Sequence, residues 1–90
     1  MSPSKSQTEW REVVSRFIKS EMTKRKIKYD DLSQLLQAKG TDQTSANLRN
    51  KINRGIMGAE LFLQILTVLD SKEIDMSTIK EIADAIAASR

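Results

Sequence analysis

The chain has 90 residues, of which 39% are hydrophobic and 30% charged, with a formal net charge of +3. That is ordinary usage for one small globular domain with a single core. The absence of cysteine and histidine excludes disulfides, Cys/His zinc sites, thiol nucleophiles and the commonest general base. No signal-peptide pattern occurs, and no apolar run approaches the roughly 20 residues that span a bilayer. The expectation is a soluble cytoplasmic protein with no membrane contact, no metal, no cofactor and no small-molecule substrate. Positive charge is gathered in the first two thirds. Residues 24–28 read KRKIK, and residues 39–58 hold Lys39, Arg49, Lys51 and Arg54 against Asp42 alone. Residues 61–90 instead hold Lys72, Lys80 and Arg90 against Asp70, Glu73, Asp75, Glu81 and Asp84. Such asymmetry suits a polyanion on one face, and also suits a merely solvated surface.

Residues 1–7 read as a flexible polar tail and residues 8–90 as a single domain. Ser6 and Glu9 match a capping box. The first helix is expected over about 8–26, with Trp10, Val13, Val14, Phe17, Ile18 and Met22 along one face. Trp10 should anchor the core, and Met22 should fill it. A second helix is expected over about 30–39. Asp30 and Asp31 suit its positive end, Leu32, Leu35 and Leu36 form its buried stripe, and Gly40 ends it. The stretch TDQT is a turn. Thr44 or Ser45 caps a third helix over 45–54, whose inward residues are Leu48 and Ile52 and whose stop is Gly55. From Gly58 to Asp70 the pattern is apolar over most of its circumference, through Leu61, Phe62, Leu63, Ile65, Leu66, Val68 and Leu69, which predicts a helix in the middle of the fold. A last helix is expected over about 77–89, starting near Ser77 with Thr78 and Glu81 as a second capping pattern. Its stripe is Ile79, Ile82, Ala83, Ile86 and Ala87. No strand is expected, so the fold class is all-α with five helices.

The third helix carries the most chemical information. With Leu48 and Ile52 turned inward, Asn50 points away from the core, flanked by Ala46, Asn47, Asn53 and Arg54, while Arg49 and Lys51 lie on the two sides. Asparagine is a mediocre helix former, and no acid occurs between Gln43 and Ala59. Asparagine pairs bidentately with adenine, arginine with guanine, and lysine or threonine holds phosphate. A short helix, a turn and a second helix with an exposed polar face is also the layout of a helix-turn-helix, here over about 30–54. The expected contacts to double-stranded DNA are therefore Lys28, Tyr29, Thr44, Ser45, Asn47, Arg49, Asn50, Lys51, Asn53 and Arg54, with Lys28 and Tyr29 on phosphate and Lys39 on the far flank.

The order of IKYDDLSQLLQAKG, TSANLRNKINRG and GAELFLQILTVLD resembles the phage lambda repressor-like (Xre-type) helix-turn-helix domain. It looks closer still to a small bacterial family of unassigned function. That family is marked by a tryptophan-led first helix, matched by Trp10, and by an NLRNKINRG-like segment, matched at 47–55. The resemblance covers about residues 9–70. It implies a five-helix domain that lays its third helix in the major groove. Against the Xre pattern, Lys28 stands where a capping threonine is usual and Tyr29 where a glutamine often grips phosphate. The turn from Gln37 to Thr44 is longer, Leu48 and Ile52 are four rather than three apart, and Asn53 replaces a frequent glutamate. The docking mode carries over, and the individual base contacts do not.

The function expected is a sequence-specific transcriptional regulator, a small repressor or autoregulator located with the nucleoid. One recognition helix reads few base pairs, so a homodimer is expected, joined through Ile79, Ile82, Ala83 and Ile86 on the last helix. Capping of the monomer core is the other use for that stripe. The alternative function is a protein-interaction adaptor or antitoxin-like module with no specific DNA target, and a regulatory protein partner suits either. An enzyme is not expected. Asp30 and Asp31 are explained by the helix start, and no carboxylate pair, metal set or phosphate-cradling glycine loop accompanies them.

Overall fold

A computed structural model describes residues 3–89 of the chain, and the side chains of residues 9–89. Five helices run in the order α1 (Pro3–Lys24), α2 (Tyr29–Ala38), α3 (Ser45–Arg54), α4 (Ala59–Val68) and α5 (Met76–Ala88). No strand occurs among the described residues, and the fold is the five-helix all-α domain expected. The core is formed by Ile18, Met22, Leu32, Leu36, Leu48, Ile52, Ile65 and Leu69, which come from the first four helices and the end of α4. The other long packing contact is α5 along α1.

The first four helices end in one way. Beyond each, a residue in the left-handed region turns the chain: Lys26, Gly40, Gly55 and Asp70. In each case its N–H and the following N–H reach back to carbonyls of the last turn, as Gly55 does to Ile52 and Ile56 to Lys51. This is the Schellman closure, which satisfies carbonyls that a helix end leaves unpaired. The starts of α2, α3 and α5 are handled by side chains, while α4 begins at Gly58 with no side-chain cap. Thr44 Oγ1 accepts from Asn47 N–H at 3.0 Å, and Asp31 Oδ2 accepts from Lys28 N–H at 3.0 Å. The cap of α5 is Asp75, whose Oδ1 accepts from Ser77 and Thr78 N–H, so this helix starts one residue before the expected Ser77. Asp75 is held below its usual carboxylate range by the Thr78 hydroxyl and by those two backbone donors.

Several expectations are corrected. α1 begins at Pro3 rather than near residue 8. Proline suits a first helical turn, where its missing N–H has no partner to lose. Ser6 therefore lies within a helix, and its side chain, with the expected capping box, is outside the described residues. Trp10 is not a core anchor, since it is 58% exposed. It stands on the same side of α1 as the buried Val13 and Phe17, yet is left uncovered. Leu35 is exposed where Leu32 and Leu36 are buried. α4 is not at the middle of the fold either. It buries Ile65 and Leu66, sets Phe62 against Phe17 with ring centroids 6.3 Å apart, and leaves Leu63 55% exposed. α1 packs on both α3 and α5, whereas the helix that α4 packs against is α2.

Two contacts fix that arrangement. The first is at Gly55, where a β-carbon would lie 1.8 Å from the Arg11 carbonyl oxygen. No side chain fits there, so α3 ends directly on the backbone of α1. The second is Glu21, a largely buried carboxylate on α1. It takes Lys24 Nζ at 2.9 Å, Arg25 Nη1 at 3.2 Å and the Ser71 hydroxyl at 3.2 Å. Through Ser71, the connection after α4 is pinned to the C-terminal part of α1, and α5 runs back along α1 from there.

Gly55→Ala is predicted to destabilise the domain by about 2 to 5 kcal/mol, combining left-handed strain with overpacking. Gly40→Ala, with nothing within 4 Å of its β-carbon, should lose only about 1 to 2 kcal/mol. Urea denaturation of both variants tests this, and equal losses would remove the Arg11 contact from the account. For Glu21, burial raises the carboxyl pKa, but Lys24, Ser71 and Arg25 together outweigh it and leave it lowered. A depressed folded-state value stabilises above the unfolded value, about 4.3 for glutamate, and that stability is lost as pH falls through the folded value. The melting temperature of wild type should therefore fall toward that of Glu21→Gln between about pH 6 and pH 3. A constant gap between the two proteins would contradict this.

Candidate nucleic-acid interface

α3 is amphipathic for a reason visible in its burial. Leu48 and Ile52 are each 0% exposed, whereas Ala46, Asn47, Arg49, Asn50, Asn53 and Arg54 are all exposed. The helix is therefore turned as its sequence pattern requires. Lys51 is half-buried on one flank, its Nζ donating to Gln43 Oε1 at 3.2 Å. Arg49 lies on the other flank, its guanidinium 5.3 Å from the Tyr29 ring centroid. The outward surface presents amide donors and acceptors and two guanidinium groups, with no carboxylate between residues 43 and 59.

The start of α2 is bound to this face. Ser45 Oγ donates to Asp30 Oδ1, which ties the first turns of α2 and α3 together. Tyr29 Oη donates to Asn53 Oδ1 at 3.4 Å, which spans from the start of α2 to the end of α3. Tyr29 thus holds Asn53 with its hydroxyl and Arg49 with its ring face. Burial pushes its phenol up, and the Arg49 charge pulls it part of the way back, so the group is a neutral donor. Lys28 is exposed beside it, and Thr44 has spent its hydroxyl on the α3 cap. The turn between α2 and α3 is braced from within, Ser33 Oγ donating to the Gln43 carbonyl. Lys39 is exposed at the far end of α2.

Three cations of α1 belong to this surface and were not anticipated. Arg11, Arg16 and Lys19 line a groove whose other wall is Asn53 and Arg54. Lys19 also lines the adjoining concavity with Lys28, Tyr29 and Arg49, so the two hollows are continuous. The sequence pattern of α1 assigned these positions no role. Arg11, Ser15 and Lys19 do recur every fourth residue, but only the contact of α3 at Arg11 brings them beside α3.

The expected dimerisation stripe is placed differently. Ile86 is 1% exposed within the single chain, and Ile79, Ile82 and Ala83 are half-buried, on the helix that packs along α1. Ile86 is already in the core and has no surface to offer a second copy. Among the described residues, no group of three or more acidic side chains is placed to hold a metal ion, and no helix is long and apolar enough to cross a membrane.

Residues 10–74, from Trp10 through the connection after α4, match the domain of unknown function DUF6471. The chain belongs to the DUF6471 family. The resemblance to a small family of unassigned function is thereby established, with NLRNKINRG on α3 inside the matched segment. α5 lies after the portion of this DUF6471 protein that the match covers. No curated protein matches the chain, and no solved structure does.

Tyr29 gives a direct test of how the exposed face of α3 is held. Tyr29→Phe should lose at most about 1 kcal/mol of stability, since only one exposed hydrogen bond is removed. Tyr29→Ala, which also deletes the ring under Arg49, should lose about 2 kcal/mol or more. Chemical denaturation separates them. Indistinguishable losses would mean that the ring lends α3 no support.

Proposed function

We propose that this DUF6471 domain is a sequence-specific double-stranded-DNA-binding transcriptional regulator, a helix-turn-helix of the lambda repressor-like kind in which α2 and α3 form the reading unit. The observation that carries the reading is the division of α3: two fully buried aliphatic side chains inward, and amide and guanidinium groups outward with no carboxylate among them. Those outward groups suit base edges in the major groove. Asn50 at the centre and Asn47 beside it are assigned to bases, with Arg49 and Asn53 oriented by Tyr29. Lys28, Lys51, Arg54 and the helix start at Thr44 and Ser45 are assigned to phosphates, which set register rather than sequence.

Two copies on a two-fold operator would join through the half-covered part of the α5 stripe, Ile79, Ile82 and Ala83, leaving Ile86 within each protomer. Repression by occupancy is the simplest outcome, with control through abundance, a protein partner or the oligomeric equilibrium. DNA binding of this kind places the protein at the nucleoid in the cytoplasm. A protein-interaction module is the second reading, favoured by the exposed Trp10 and Leu63.

Selection from a random duplex pool should enrich a two-fold symmetric site. Affinity for that site should fall roughly 10³-fold or more between 50 and 200 mM salt if six or more phosphates are contacted. Asn50→Ala should weaken the selected site by about 1 to 3 kcal/mol and random DNA much less, while Lys51→Ala should weaken both alike. Salt-indifferent binding would favour the protein-interaction module, and equal losses on both duplexes for Asn50→Ala would mean that α3 does not read bases.

A further inference from the structure

The basic groove between α1 and α3 is not used by a helix-turn-helix reading unit built from α2 and α3 alone. Its wall on α1 carries Arg11, Arg16 and Lys19, and its wall on α3 ends in Arg54. One carboxylate, Glu12, lies among these four cations and pairs with Arg16 at 3.7 Å. Arg11, Lys19 and Arg54 make no ion pair among the described residues. Their charges contribute nothing evident to folding and repel one another. The arrangement gains Coulomb energy only when a polyanion lies in the groove.

The geometry points to α1 as a second, sequence-independent phosphate-binding strip that grips the DNA strand bordering the groove occupied by α3. This rests on the DNA-binding reading and extends it to residues outside the α2–α3 unit. Arg11 and Lys19 are eight residues apart, which is about 12 Å along a helix. That length matches the axial span of roughly three to four phosphate steps of one strand, at about 3.4 Å each. The strip is held in register with α3, because Gly55 sits on the backbone of Arg11 itself. Lys19, shared with the hollow beside Lys28 and Arg49, joins the strip to the start of α2. The contacted region should therefore extend past the C-terminal end of α3, on the side of α1.

The test is a salt titration of duplex binding with the full chain, using both the selected duplex and a random one. Wild type is compared with Arg11→Gln/Lys19→Gln, with Arg16→Gln, and with Lys80→Gln on α5 as a control outside the groove. The double variant should lower affinity by the same factor on both duplexes and reduce the slope of log K against log salt by about 2, close to one unit for each lost phosphate contact. Its thermal melting should be unchanged, and Lys80→Gln should leave the slope as in wild type. Arg16→Gln should lower the slope by less than either residue of the double variant, because Arg16 is already paired with Glu12. A wild-type slope retained in the double variant, with wild type still binding, would overturn the strip and leave the α3 reading intact. Wild type that binds neither duplex with salt dependence would overturn both.

Discussion

The placement of α3 depends on a contact that a single β-carbon would abolish. At Gly55 the chain needs a left-handed conformation to close the helix, and the same residue lies against the Arg11 carbonyl with no room for a side chain. Glycine meets both demands at once. The consequence is that the end of α3 is joined to α1 backbone against backbone, without the slack that a side chain would introduce. Everything on the exposed face of α3 then has a fixed position relative to α1, including its three cations.

The start of α3 is fixed by different means. Thr44 closes the first turn and Ser45 reaches Asp30, while Tyr29 reaches Asn53 in the last turn. This network explains how a helix with three asparagines in ten residues is held in place. Asparagine contributes little to helix propensity, so the stability of α3 comes from its caps, from full burial of Leu48 and Ile52, and from the α1 and α2 contacts. Once packing has supplied stability, the outward positions are free to carry groups that do little for the helix itself. The two aspartates at the start of α2 fit the same arrangement, since each accepts a local hydrogen bond at a helix end that favours negative charge.

α1 and α5 form a second layer with its own logic. Glu21 is buried with three partners on one side of the junction, a placement whose desolvation is offset only because those partners are in reach. By drawing Ser71 onto α1, it directs α5 along that helix. The stripe on α5 is then partly consumed inside the protomer, and exposed apolar side chains include Trp10 on α1, Leu63 on α4 and Met76 at the start of α5. Trp10 shows the general point: a periodic stripe names the face a side chain occupies, and cover depends on how far the neighbouring helices extend.

By itself, the sequence determined the all-α class, the five helices, the glycine stops and the rotation of α3. These follow from local rules, namely the 3.6-residue period, capping chemistry and the left-handed preference of glycine, and local rules act on residues a few positions apart. What only the tertiary structure decided was which faces are covered and which surfaces adjoin. It exposed Trp10, Leu35 and Leu63, moved α4 to the side, committed Ile86 to the interior, turned Tyr29 toward Asn53 and Arg49, and set Arg11, Arg16 and Lys19 beside Arg54. Each of these depends on contacts between residues distant along the chain, whose geometry is set by helix lengths and by where the helices meet, and no pattern of nearby residues encodes that.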